Sequence, residues 1–199
     1  TESVIGKIGG GHDYGCAFIG EFTDYVILEK NIITIGVSHL NYATISNNIL
    51  TGTQQMSVRG LKNCLLKNNI FTATNYDAYF HSTFSCVLTK NIFGFDPSVY
   101  FVPGGTNTFG ENLINTDPAA VFVNYSTPGF DYGNDYHMKT GSPGIGYGTD
   151  GTDVGIYGTA DPYKEGAIPI IPHYTNSEIG SELIDGKLHI NITVEAQAE

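Results

Sequence analysis

Apolar and polar positions along this chain follow one phrase that recurs five times: an apolar triplet, a polar pair ending in asparagine, then two large apolar residues. It occupies residues 26–33, 43–50, 64–71 and 86–93, and more weakly 107–114. The aligned asparagines, Asn31, Asn48, Asn69, Asn91 and Asn112, are 17, 21, 22 and 21 residues apart. A period in the twenties signals an architecture in which each coil buries its apolar face only against the next. Counting back from each asparagine, Leu28, Ile45, Leu66, Leu88 and Phe109 share the third position. Val26, Ala43, Cys64, Cys86 and Asn107 share the fifth, so this segment alternates as a strand with one buried face. A second strand precedes it, with Phe18, Ile35, Met56, Ala78 and Val99 thirteen positions back and Gly20, Val37, Val58, Phe80 and Phe101 eleven back. The short apolar pair after the asparagine makes a third. Three short strands per turn of about 22 residues, without a 3.6-residue period or a leucine-rich phrase, predict an all-β, right-handed parallel β-helix of about five regular coils. The repeated asparagine is placed at a corner, where its side chain tolerates the left-handed conformation and stacked copies form a ladder.

From Asp117 the period breaks. Residues 124–166 are rich in Gly, Pro, Asp and Tyr, which predicts turns and long loops. In the tail, Leu188, Ile190, Ile192 and Val194 alternate strictly, and Asp185-Gly186 marks a hairpin turn that pairs them with residues 179–184. This predicts a half-buried terminal β-unit. The organisation is thus coils over 1–123, a loop-rich closing region of the same domain over 124–175, and a terminal hairpin or strand over 176–199.

The phrase at residues 63–71, with Asn134-Asp135-Tyr136-His137-Met138 and the glycine-rich run 141–158, resembles the C-terminal half of right-handed parallel β-helix proteins of the pectate-lyase-like superfamily. It is most similar to the versions exported by Bacteroidetes. The resemblance covers residues 25–175 and rests on corner and closing motifs. It implies an exported protein that is periplasmic, associated with the outer membrane or extracellular, while leaving function to be argued from the site.

Composition narrows the partners. The 199 residues suit one domain with a sizeable core, and the net charge is −11 with a single arginine. Nothing supplies the cations that dominate nucleic-acid binding. There is no run of 18 apolar residues to span a membrane. The three cysteines, Cys16, Cys64 and Cys86, lack zinc spacing. Cys64 and Cys86 fall in one inward column and read as small buried hydrophobes, with a bridge between stacked coils as the alternative. His12-Asp13 is too small a set for a metal, and Asp150 with Asp153 reads as turn chemistry rather than a calcium loop.

Chemistry is expected on the outward columns of the first strand. Stacking would place Gln55, Arg59, Asp77, Tyr79, His81 and Tyr100 on one surface, aromatic platforms with polar groups between them, as a saccharide site requires. By resemblance, a lyase needs a basic residue to abstract a proton beside a carboxylate, often with calcium, and a hydrolase needs a carboxylate pair. The face offers one Arg, one His and one Asp without an acidic cluster. The expectation is a non-catalytic cell-envelope or secreted module, without cofactor or metal, that binds another protein or a glycan. A subunit of an outer-membrane export or uptake assembly is one form of it. The alternative is a polysaccharide lyase acting on a bacterial or plant polysaccharide, with Arg59, His81 and Asp77 catalytic and calcium as cofactor. Residues 1–17 hold no amphipathic helix to close the first coil, so the N-terminal end is expected to be covered by further chain or a partner, or else to self-associate.

Overall fold

A computed structural model describes residues 3–5, 23–34, 36–51, 58–74, 80–81, 83–100, 106–126, 129–163 and 172–196. Two compact units divide the chain, residues 1–163 and 164–199.

The first unit is built mainly from parallel sheets, rows of short strands that successive sequence repeats contribute. One row runs Ile27–Glu29, Thr44–Ser46, Leu65–Lys67, Val87–Thr89 and Thr108–Phe109. Its register pairs Leu28 with Ile45, Ile45 with Leu66, Leu66 with Leu88 and Leu88 with Phe109, as the column spacing predicts. The second row runs Ser3–Ile5, Asn31–Ile33, Ile49–Leu50, Ile70–Phe71 and Ile92–Phe93. Ser3–Ile5 is therefore an added edge strand before the first repeat, paired with Asn31–Ile33. The third row holds Val37–Ser38, Val58–Arg59 and Phe80–His81. Inside the rungs lie Val37, Ile45, Leu50, Val58, Leu66, Phe71, Leu88 and Phe93, all essentially inaccessible. Phe71 and Phe93 stack one rung apart at 4.5 Å. Leu28 in the first full rung is 6 % exposed, whereas Phe109 in the last is 39 % exposed.

The asparagine ladder forms, but its geometry corrects the corner assignment. In the first four repeats the residue before the asparagine takes the left-handed bend: Lys30, Asn47, Asn68 and Lys90 have φ of 54–56°. The ladder asparagines themselves are extended, which turns their amides into the stack. The Oδ1 of Asn69 accepts from both the amide and the Nδ2 of Asn48. The Nδ2 of Asn69 donates to the Oδ1 of Asn91 and to the carbonyl of Ile45. Asn48, Asn69 and Asn91 each join three rungs and use both donors and both lone pairs, which neither Asp nor Ala reproduces. Two more columns bend the same way, Tyr25, Tyr42, Asn63 and Ser85 in one and His39 with Gly60 in the other. Cys64 and Cys86 sit inward as free thiols, 2 % and 0 % exposed. The Cys64 amide donates to the Cys86 sulfur at 3.4 Å, and the thiol hydrogen bond to Cys64 together with burial pushes Cys86 up.

Two expectations change here. The fifth repeat does not continue the first-strand row. Asp96 accepts from the Ser98 amide and hydroxyl ahead of Pro97, and this cap starts a 3-10 turn, Pro97–Tyr100, where a strand carrying Tyr100 was expected. Residues 124–163 are not merely loops. They cover a second core in which Ile32, Ile49, Ile70 and Ile92, facing away from the rung interior, pack with Val121, Phe122, Tyr136, Val154 and Ile156. Phe122–Asn124 pairs antiparallel with Asp135–Met138. The Asp117 carboxylate caps the short helix Pro118–Val121 that leads into this layer.

Beyond it, the closing segment runs back across the left-handed corners in reverse order. Tyr147 lies under the Lys90 ammonium, 4.5 Å from ring centre to nitrogen. Asn68 exchanges hydrogen bonds with Thr149, and its carbonyl accepts from Gly155. Asn47 donates to Gly155 O, and Lys30 pairs with Asp161 at 3.5 Å. Gly155 has φ of 88° and lies so close to Ile70 that a Cβ there would sit 2.7 Å from its Cδ1. The Asp150 and Asp153 carboxylates accept from Thr152 and Gly146, which is the turn chemistry expected of them.

The second unit is a two-stranded antiparallel ribbon, His173–Ile184 with Lys187–Glu195, turning at Asp185-Gly186. Both turn residues have positive φ, 52° and 71°, as the tight hairpin turn demands. The expected half-burial is absent. Among the described residues of this unit only His173 is less than exposed, and Leu188, Ile190, Ile192 and Val194 are 47–55 % exposed. Two strands alone have no third element to bury their apolar side.

Candidate functional site

The sequence placed chemistry on the outward side of the third row. Register sets Ser38, Arg59 and His81 side by side on successive strands. Ser38 is only 1 % exposed. Gln55, Asp77 and Tyr79 lie outside the described residues, and Tyr100 ends the 3-10 turn that follows Phe80–His81 in the chain. The structure therefore brings Arg59 and His81 to neighbouring backbone positions and leaves Tyr100 off the strand row.

A different surface presents aromatic rings directly. Tyr25 and Tyr42 occupy the same left-handed corner in adjacent rungs and stack at 5.5 Å with 14° between planes. They are 75 % and 52 % exposed. The equivalent positions two rungs on are Asn63 and Ser85, residues that suit this conformation. A bulky tyrosine there works against backbone preference. Beside the rings runs an exposed polar row in which Asn63 Nδ2 donates to Asn41 Oδ1 and Asn41 Nδ2 donates to Asp24 Oδ1. Ile27, 70 % exposed, extends the patch on the outer side of the neighbouring strand. Flat aromatic area next to fixed amide and carboxylate groups fits the description of a recognition surface. The signal in sequence was the paired tyrosine at a position that two other repeats fill with Asn and Ser.

A third cluster lies on the cover. The His137 Nδ1–H donates to Asp135 Oδ1 at 2.7 Å, and the ring stacks on Tyr157 at 3.9 Å, with Tyr163 edge-on to Tyr157. Burial raises the Asp135 carboxyl, but hydrogen bonds from the His137 amide and ring outweigh it and leave it below the ordinary carboxylate value. This fixes the imidazole's orientation and consumes one face of its ring. Elsewhere, Lys90 Nζ meets Glu111 Oε2 at 2.5 Å and holds that carboxyl below its usual value. Among the described residues, no three His, Cys, Asp or Glu side chains group as metal ligands. No helix among them is long and apolar enough to cross a membrane.

No family model, curated protein or solved structure matches this chain.

Proposed function

We propose that the stacked repeats close into a right-handed parallel β-helix and that this chain is a non-catalytic module of an exported or cell-envelope protein, binding another protein or a glycan through the outer face of its rungs. The stacked, exposed pair Tyr25 and Tyr42, beside the Asp24-Asn41-Asn63 row, carries this reading. Rings held at one corner by the rung register are presented without loss of side-chain freedom on binding, which favours recognition over turnover. The test incubates the chain with envelope extract and with pectate, alginate and neutral glycans, with and without calcium. Retention of a protein or glycan that weakens at least tenfold in Tyr25→Ala/Tyr42→Ala, with no release of unsaturated uronate, supports the module.

A polysaccharide-lyase activity is the second reading, favoured by the register that sets Arg59 next to His81. Unsaturated products that disappear in Arg59→Ala or His81→Ala would establish it and displace the first.

A further inference from the structure

The terminal ribbon separates its side chains cleanly. Register pairs Ile179 with Ile190 and Leu183 with Leu188, and the strict alternation of the second strand puts Ile192 and Val194 on that same side. Lys187, Asn191 and Glu195 fall on the other side with their partners Ile184, Glu178 and His173. One face is therefore uncharged and, apart from Ser177 opposite Ile192, apolar, 47–73 % exposed along its large side chains, while the register-paired charges point away from it. From the Tyr174–Val194 pair to the Leu183–Leu188 pair it extends roughly 20 Å along the unbulged second strand, at about 3.3 Å per residue.

We infer that this face packs against the same face of a second copy of the chain, forming a four-stranded, two-layer β-sandwich about a two-fold axis. A ribbon of two strands is marginal in water until a third layer covers it. The cover must be flat, apolar, uncharged and equally long, and the chain itself supplies one. Net charge of −11 on each copy opposes association, and a contact through this face at least brings no register-paired charge into the interface. A face lined by seven large apolar side chains is on the scale of one side of a standard interface, about 800 Å² per partner. Bulges between Tyr174 and Asn176 and between Ile179 and Leu183 interrupt the outer edge of the longer strand, which disfavours edge-to-edge addition there. The assembly goes beyond the binding role proposed above and does not depend on it.

Sedimentation velocity of the full chain from about 1 to 100 µM tests this on the scale of ordinary dimer affinities. The wild type is expected to sediment as a dimer, Ile190→Lys as a monomer, and Asn191→Lys, the neighbouring substitution on the polar face, as a dimer. Ile192→Thr, which keeps strand preference, should weaken the dimer at least tenfold while amide exchange shows the ribbon still paired. A wild type that is monomeric throughout overturns the inference. So does equal behaviour of the position-190 and position-191 variants, or a dimer lost only in Ile5→Lys on the edge strand of the rungs.

Discussion

The rungs and the terminal ribbon are written with the same alternation, yet they end in opposite environments. Ile45, Leu66 and Leu88 lie at 0–1 % exposure, and Leu188, Ile190 and Ile192 at 47–55 %. What separates them is packing: an alternating strand buries its apolar side only when another layer arrives, and in the rungs the other strand rows supply it through Val37, Leu50, Val58 and Phe71, which share one core with Ile45, Leu66 and Leu88. Alternation encodes which residues share a face; the number of copies and the presence of a cover decide whether the face is dry.

Substitutions can break this contrast. Leu66→Asp places an unpaired charge in the stack and should cost more than about 4 kcal/mol, abolishing cooperative unfolding of the rung unit; an unchanged melting temperature would refute the register. Asn69→Ala deletes a fully satisfied buried amide, strands the Asn48 amide and Nδ2 donors and removes the donor to the Ile45 carbonyl and Asn91 Oδ1, an expected loss of about 3 kcal/mol in urea unfolding. Ile156→Ala, in the second core, should lose about 2–3 kcal/mol, since its site is closed by the cover rather than by a rung. Ile192→Asp in the ribbon should change unfolding of the rung unit by less than about 0.5 kcal/mol. If it instead matched Leu66→Asp, the two regions would not differ in the way their exposures indicate. The smallest effect is that of pH. Folded-state values of Glu111, Asp135 and Asp150 are depressed, so their contributions are present above the ordinary carboxylate range and fade as pH falls through it. A modest decline in melting temperature below about pH 4, reduced by salt for the exposed Lys90–Glu111 pair, is expected.

The rung register was legible in sequence because one face of a strand has a period of two and the asparagine fixes its phase. The exact bend was not. A corner asparagine suggests αL, but here the preceding Lys30, Asn47, Asn68 or Lys90 takes that strain and frees the ladder amide to point inward. The cover escaped because its glycines and prolines read as turns. Its trace was present nonetheless in the doubled apolar pair after each asparagine, since Ile70 and Phe71 on opposite sides of one strand both require burial. Of the candidate surface, the adjacency of Arg59 and His81 followed from the columns, whereas Tyr25 and Tyr42 sit at corners, where a two-residue period carries no information.

The closing segment meets Lys90, Asn68, Asn47 and Lys30 in turn, through Tyr147, Thr149, Gly155 and Asp161. It therefore works as a gauge for the number of repeats. Repeat arrays ordinarily lengthen or shorten by whole units at little cost to the remainder, but here an excised or duplicated rung would throw every later contact of the gauge out of step. The array is held to a set length by a segment that belongs to none of its repeats, so copy number in this part of the chain is under a structural constraint that its repetitive sequence alone would not impose.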